Sequence, residues 1–208
     1  MDNDDVRRGK PTCHKVFGEA VAVLAGDGLL TEAFHLMSRG DLSGRVSPNA
    51  LLQVIPMIAS AAGYQGMVGG QVVDIQSEGK GVEASLVEFI HTHKTGALIT
   101  ASVVSGALIG GGTAEQIESI QAYGQKIGLA FQIADDILDI EGDTQTLGKG
   151  VGNDARKGKP TYPSVLGLDK SKKIQRVMIK GAFKSLESFD NRADPLRDIA
   201  IYIIERKK

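Results

Sequence analysis

The 208 residues are 42% hydrophobic and 24% charged, proportions that suit a single globular domain with a substantial core. A formal net charge of -1 excludes a nucleic-acid binder driven by bulk positive charge. Cys13 is the only cysteine, which excludes an internal disulfide and fits a reducing cytoplasm, and the acidic Met1–Asp5 start has no apolar region of the kind a signal peptide carries.

Apolar residues recur at three- and four-residue steps from Val16 to Met37, which predicts a helix there. Arg39 to Ser47 is polar with two glycines and reads as a loop. Pro48 then starts a helix through Leu51, Leu52, Ile55, Ile58 and Ala62, with Pro56 as a kink. The run is expected to continue past Tyr64 to about Gln76, and Ser77 to Val82 reads as a loop. Further helices are expected over about Ser85–Ile109 and Ala114–Ile140. Glu141 to Pro160 is a long polar loop rich in Gly, Asp and Lys, the kind of loop that is more often functional than idle. Two helices close the chain, at about Ser171–Phe189 and Pro195–Arg206. Leu98–Gly112 is too short and too mixed to span a bilayer, so no transmembrane segment is expected. No convincing period-two strand appears. The expected fold is all-α, a helical bundle in one domain over residues 1–208.

Chemistry concentrates at the end of the Ala114–Ile140 helix. Asp135 and Asp139 lie one turn apart on one face, Asp136 sits beside them, and Gln132 is one turn upstream. Like charges at this spacing destabilise a helix by about 0.2–0.5 kcal/mol per pair, and a divalent cation relieves the repulsion. All-oxygen ligands favour Mg²⁺. A second acidic group, Asp2, Asp4 and Asp5, precedes Arg7-Arg8-Gly9-Lys10-Pro11-Thr12. The string Arg156-Lys157-Gly158-Lys159-Pro160-Thr161 follows the first cluster. The match has three readings: chance, shared turn chemistry before a helix, or two sites for a metal-bridged polyanion. Lys94 and Thr95 either face a polar cavity or sit at a helix surface, Lys94 snorkelling. His91 and His93 face apart, which disfavours a shared metal. Gln71 and Asp74 either line the same cavity or cap their helix.

Asp135-Asp136-Ile137-Leu138-Asp139, with Gln132 before it and the Gly-Lys-rich loop after it, resembles the second aspartate-rich motif of the trans-isoprenyl diphosphate synthases. Asp2-Asn3-Asp4-Asp5-Val6-Arg7-Arg8-Gly9 resembles the end of their first such motif. Gly70-Gln71-Val72-Val73-Asp74 and Lys94-Thr95 match as well, in the family's order. The resemblance implies a homodimeric Mg²⁺-dependent enzyme of the isoprenoid-synthase helical bundle. It would join isopentenyl diphosphate to an allylic diphosphate, giving farnesyl or geranylgeranyl diphosphate. Asp2, Asp135, Asp136 and Asp139 would serve the metal ions. Arg7, Lys94, Thr95, Gln132, Lys149 and Lys159 would contact the allylic diphosphate or the metal cluster, and Arg8 isopentenyl diphosphate. The family's first motif has two further aspartates upstream of Asp2, with several helices before them. The chain is therefore expected to be the C-terminal portion of a longer synthase, with exposed apolar faces and little turnover by itself. The alternative is a non-catalytic subunit that pairs with a full synthase.

Overall fold

Glycines and prolines set most of the breaks between helices, and their positions explain where the fold follows the periodicity and where it departs from it. The computed structural model describes residues 3–39, 46–142, 154 and 158–206. The described chain opens with an antiparallel hairpin, β1 (Val6–Arg7) and β2 (Lys10–Pro11), with Arg7 opposite Lys10. This corrects the strand-free expectation. Arg8 and Gly9 hold φ of 52° and 72°, the two left-handed positions of a tight hairpin turn, and strands this short show no alternation in sequence.

Helices follow: α1 (Cys13–Phe17), α2 (Glu19–Met37), α3 (Pro48–Ala62), α4 (Met67–Ser77), α5 (Ala84–His91), α6 (Ala97–Ile109), α7 (Ala114–Glu141), α8 (Tyr162–Leu166), α9 (Leu168–Ser185) and α10 (Asp194–Glu205). The architecture is all-α, as the periodicity indicates. Three expected helices are subdivided. Val16–Met37 breaks at Gly18, and the run beyond Ala62 breaks at Gly63–Gly66. Between α5 and α6 the chain winds as a π-turn over Thr92–Gly96. Pro56 sits within α3 without ending it.

The repeated Gly-Lys-Pro-Thr string has a repeated geometry. Thr12 and Thr161 each precede a five-residue helix, α1 and α8. Each short helix ends at a glycine of positive φ, Gly18 at 84° and Gly167 at 82°. A long helix starts at the next residue in both cases. Positive φ at these corners is why glycine recurs there. At Thr161 the side chain also closes a capping box with Ser164.

The core is organised around α7, about 42 Å long at 1.5 Å per residue. Thr113 and Gln116 form the capping box that starts it. One face packs Ile120, Tyr123, Ile127, Ala130 and Ala134 against Val104 of α6, Ile179 and Ala182 of α9, and Ala200 and Ile203 of α10. The adjoining face packs Leu129, Ile133 and Ile137 against Val87 of α5 and Tyr162 of α8. Fully burying each large aliphatic side chain stabilises the fold by roughly 1.5–3 kcal/mol. Both clusters hold α7 so that its last two turns face the functional cavity.

Helix α2 has no buried residue, and Val21, Val23, Leu24, Leu29 and Leu30 are exposed along it. By length and composition alone, Glu19–Met37 and Pro48–Ser77 are apolar enough to cross a membrane. The first carries Glu19, Asp27 and Glu32, and the second is broken into α3 and α4. One or two helices of this kind are weak evidence of a membrane span.

Candidate active site

The last two turns of α7 project Asp135, Asp136 and Asp139 toward a cavity of about 310 Å³. Across it stand Gln71 and Asp74 from α4, His91 from α5 and Lys94 from the π-turn. Asp4 and Arg7 of the N-terminal segment, and Asp154, Lys159, Pro160 and Thr161 before α8, complete the wall. Among the described residues, six carboxylates (Asp4, Asp74, Asp135, Asp136, Asp139, Asp154) face three strong cations (Arg7, Lys94, Lys159) there. The excess of anionic oxygen favours bound cations, and the lysines and arginine supply places for a polyanion between them.

The three α7 aspartates differ in environment. Asp135 is partly exposed and lies 3.4 Å from Nη2 of Arg206, whose guanidinium rests over the Phe131 ring at 4.2 Å and donates to the Phe131 carbonyl. Asp136 is buried, and its Oδ2 accepts from the Tyr162 backbone N–H at 2.9 Å and lies 2.8 Å from His91 Nε2. Asp139 is buried and accepts from the Asp154 N–H at 3.2 Å. Lys159 Nζ is 3.8 Å from Asp154 Oδ1. The basic loop end is thus joined to the acidic helix end.

Lys94 lines the cavity from within the π-turn. A helix that takes one extra residue in a turn rotates the side chains that follow, and such turns occur often at functional sites. Nζ of Lys94 lies 2.7 Å from Oδ2 of Asp74, a buried carboxylate that holds the ammonium at the cavity wall. The open alternative for Gln71 and Asp74 is therefore resolved in favour of the cavity. Thr95 Oγ1 donates to Gln132 Oε1 at 2.9 Å, fixing the glutamine beside Asp135 and Asp136. Gly70 makes the approach of α4 possible: a Cβ there would stand 2.3 Å from the Lys94 backbone nitrogen.

The structure brings Arg7, Lys94, Gln132, Asp135, Asp136, Asp139 and Lys159 around one cavity, with Thr95 bonded to Gln132. Arg8 does not join them, because it occupies the exposed hairpin turn. Asp2 and Lys149 lie outside the described residues. His91 is the participant that sequence reasoning missed. It is 45 positions from Asp136, and no local pattern connects them. His93 stacks on Phe89 with ring centroids 3.9 Å apart. Arg206 and Asp154 were also not foreseen at the site.

The donor set is oxygen throughout, which suits a hard cation such as Mg²⁺. Among the described residues no three acidic or histidine side chains converge to hold an ion by themselves. That fits an ion held by one or two carboxylates, with the remaining ligands from water and phosphate oxygens.

A farnesyl diphosphate synthase of Geobacillus stearothermophilus is 50% identical over 190 residues, 91% of this chain and 64% of that protein. The Escherichia coli farnesyl diphosphate synthase is 49% identical over 214 residues, covering 100% of this chain and 71% of its own length. The crystal structure of a Helicobacter pylori geranyltransferase complexed with magnesium and isoprenyl diphosphate superimposes with a TM-score of 0.83 at 30% identity, over 98% of this chain and 66% of that one. The fold is that of the all-α isoprenyl synthases. The sequence model of the polyprenyl synthetase family matches residues 1–195, and the chain belongs to that family. It spans 64% of the length of the Geobacillus protein.

Proposed function

We propose that this chain carries the reaction cavity of a Mg²⁺-dependent prenyltransferase that joins isopentenyl diphosphate to an allylic diphosphate, with farnesyl or geranylgeranyl diphosphate as product. The observation that carries the reading is the cavity itself, where the α7 aspartates face Lys94, Lys159 and Arg7. Asp2, Asp135, Asp136 and Asp139 would serve Mg²⁺. Bound there, Mg²⁺ neutralises diphosphate charge and so eases cleavage of the allylic carbon–oxygen bond.

Lys94, Lys159, Arg7 and Lys149 bind the remaining diphosphate oxygens, and Asp74 keeps Lys94 directed at them. The allylic bond breaks and leaves a delocalised cation. Gln132, held by Thr95, would steady that cation electrostatically. The isopentenyl double bond then forms the new carbon–carbon bond. The proton lost in that step goes to the departing diphosphate, which is the strongest acceptor in reach. Arg8 contacts isopentenyl diphosphate in this reading once its turn is covered by substrate.

The apolar exposed α2 supports a homodimer, since a helix of this composition gains by burial against a second copy. The protein would act in the cytoplasm. The test is incubation with Mg²⁺, labelled isopentenyl diphosphate and dimethylallyl, geranyl or farnesyl diphosphate. Mg²⁺-dependent binding of the allylic diphosphate is expected, and whatever prenyl product forms should be abolished by EDTA and reduced about 10²–10³-fold by Lys94→Ala. A folded protein that yields no product, and binds no allylic diphosphate when Mg²⁺ is added, overturns the proposal.

A further inference from the structure

Asp136 is held differently from its neighbours, and the difference points to a role for His91. Both elements that contact Asp136 address the same oxygen. His91 Nε2 lies 2.8 Å from Oδ2, and the Tyr162 N–H donates to that atom at 2.9 Å. Among the described residues, every hydrogen bond to this carboxylate goes to Oδ2. His91 and Asp136 are both buried and both line the cavity. The imidazole in turn stacks on the Tyr162 ring, with centroids 5.5 Å apart and planes 28° apart. Neither χ angle of Asp136 is free to turn without losing two hydrogen bonds.

We infer that His91 is a positioning residue that fixes the Asp136 carboxylate, so that Oδ1 alone is offered to a cavity cation. The inference rests on the magnesium reading above. Carboxylates that ligate metals are commonly held by outer hydrogen bonds of this kind, and losing such a partner typically weakens metal affinity about 10–100-fold. Here the partner does a second thing. Tyr162 follows Thr161 at the end of the basic loop, and Lys159 is three residues before it. Fixing Asp136 therefore sets one metal ligand and the diphosphate-binding lysine from a single buried point. A substitution that frees the carboxylate lets it rotate toward both oxygens and loosens the loop end together.

Two variants of similar polarity separate this role from simple core filling. In His91→Gln the amide nitrogen falls where Nε2 lies, within reach of Oδ2. In His91→Asn it falls short, near the position of Nδ1. The measurement is Mn²⁺ affinity by electron paramagnetic resonance in the presence of inorganic diphosphate, alongside thermal unfolding of each variant. His91→Asn is expected to weaken Mn²⁺ binding at least tenfold, while His91→Gln stays within about threefold of wild type. Equal Mn²⁺ affinity in wild type and His91→Asn, with only the unfolding temperature lowered, overturns the inference. So does a His91→Gln variant as weak as His91→Asn. Asp135→Asn is the control for the underlying reading. If it binds Mn²⁺ as wild type does while His91→Asn does not, the cation sits on Asp136 and away from Asp135. If wild type binds no Mn²⁺ with inorganic diphosphate, the magnesium reading fails and takes this inference with it.

Discussion

Gly70→Ala is the sharpest single test of how the π-turn is held. The added Cβ would lie 2.3 Å from the Lys94 nitrogen, 2.7 Å from its Cα and 2.9 Å from the His93 carbonyl carbon. All three are backbone atoms, so no flexible side-chain end can yield. Ordinary carbon contacts lie at about 3.5–4.0 Å, so α4 or the π-turn must retreat by roughly 1 Å. Overpacking of this kind costs about 1–3 kcal/mol. Alanine recovers about 0.5–1 kcal/mol of helix propensity. The net loss of about 0–2.5 kcal/mol corresponds to a fall of up to about 10 °C in Tm for a chain of this size. Gly106→Ala in α6 is the matched control, since a Cβ there meets nothing within 4 Å. It should raise Tm by about 1–4 °C. The displaced residue in Gly70→Ala is Lys94, and a 1 Å misplacement near the chemistry costs on the order of 10²-fold in rate. Thermal melts and initial rates of prenyl transfer read both effects. A Gly70→Ala protein that melts as high as Gly106→Ala and turns over at the wild-type rate would refute the reasoning.

Two further outcomes follow from the same structure. A charge placed on the exposed face of α2, as in Leu24→Glu, should shift the protein toward monomer in light scattering, and an unchanged mass would count against α2 as the dimer surface. Burial lifts the Tyr123 phenol from 10 to about 12, so the unfolded chain ionises first as pH rises. Its contribution to stability is fully present below pH 10 and is lost between pH 10 and about 12. Tyr123→Phe should make the alkaline decline shallower. At neutral pH it should lose about 0.5–1.5 kcal/mol with the 2.6 Å hydrogen bond to the Leu196 carbonyl. A denaturation series across that pH range measures both, and an equally steep decline in the variant would contradict the assignment.

The sequence by itself determined the helical class, the acidic end of α7 and the twice-used Gly-Lys-Pro-Thr corner, because each is local. A helix stripe repeats every 3.6 residues, carboxylates at i and i+4 share a face, and a turn needs its own residues in order. The same locality made Lys94 and Thr95 visible as candidates while leaving their direction open. Lys94 lies in the π-turn, whose backbone runs close against Gly70 of α4, a contact that no window around Lys94 contains. Asp135, Asp136 and Asp139 read alike in sequence. Tertiary structure gave each a different partner: Arg206 just past α10, His91 from α5 and the Asp154 backbone N–H. Those partners are 71, 45 and 15 positions away. What the cluster is made of was therefore written locally, and how each carboxylate is held was decided only when the bundle closed around α7.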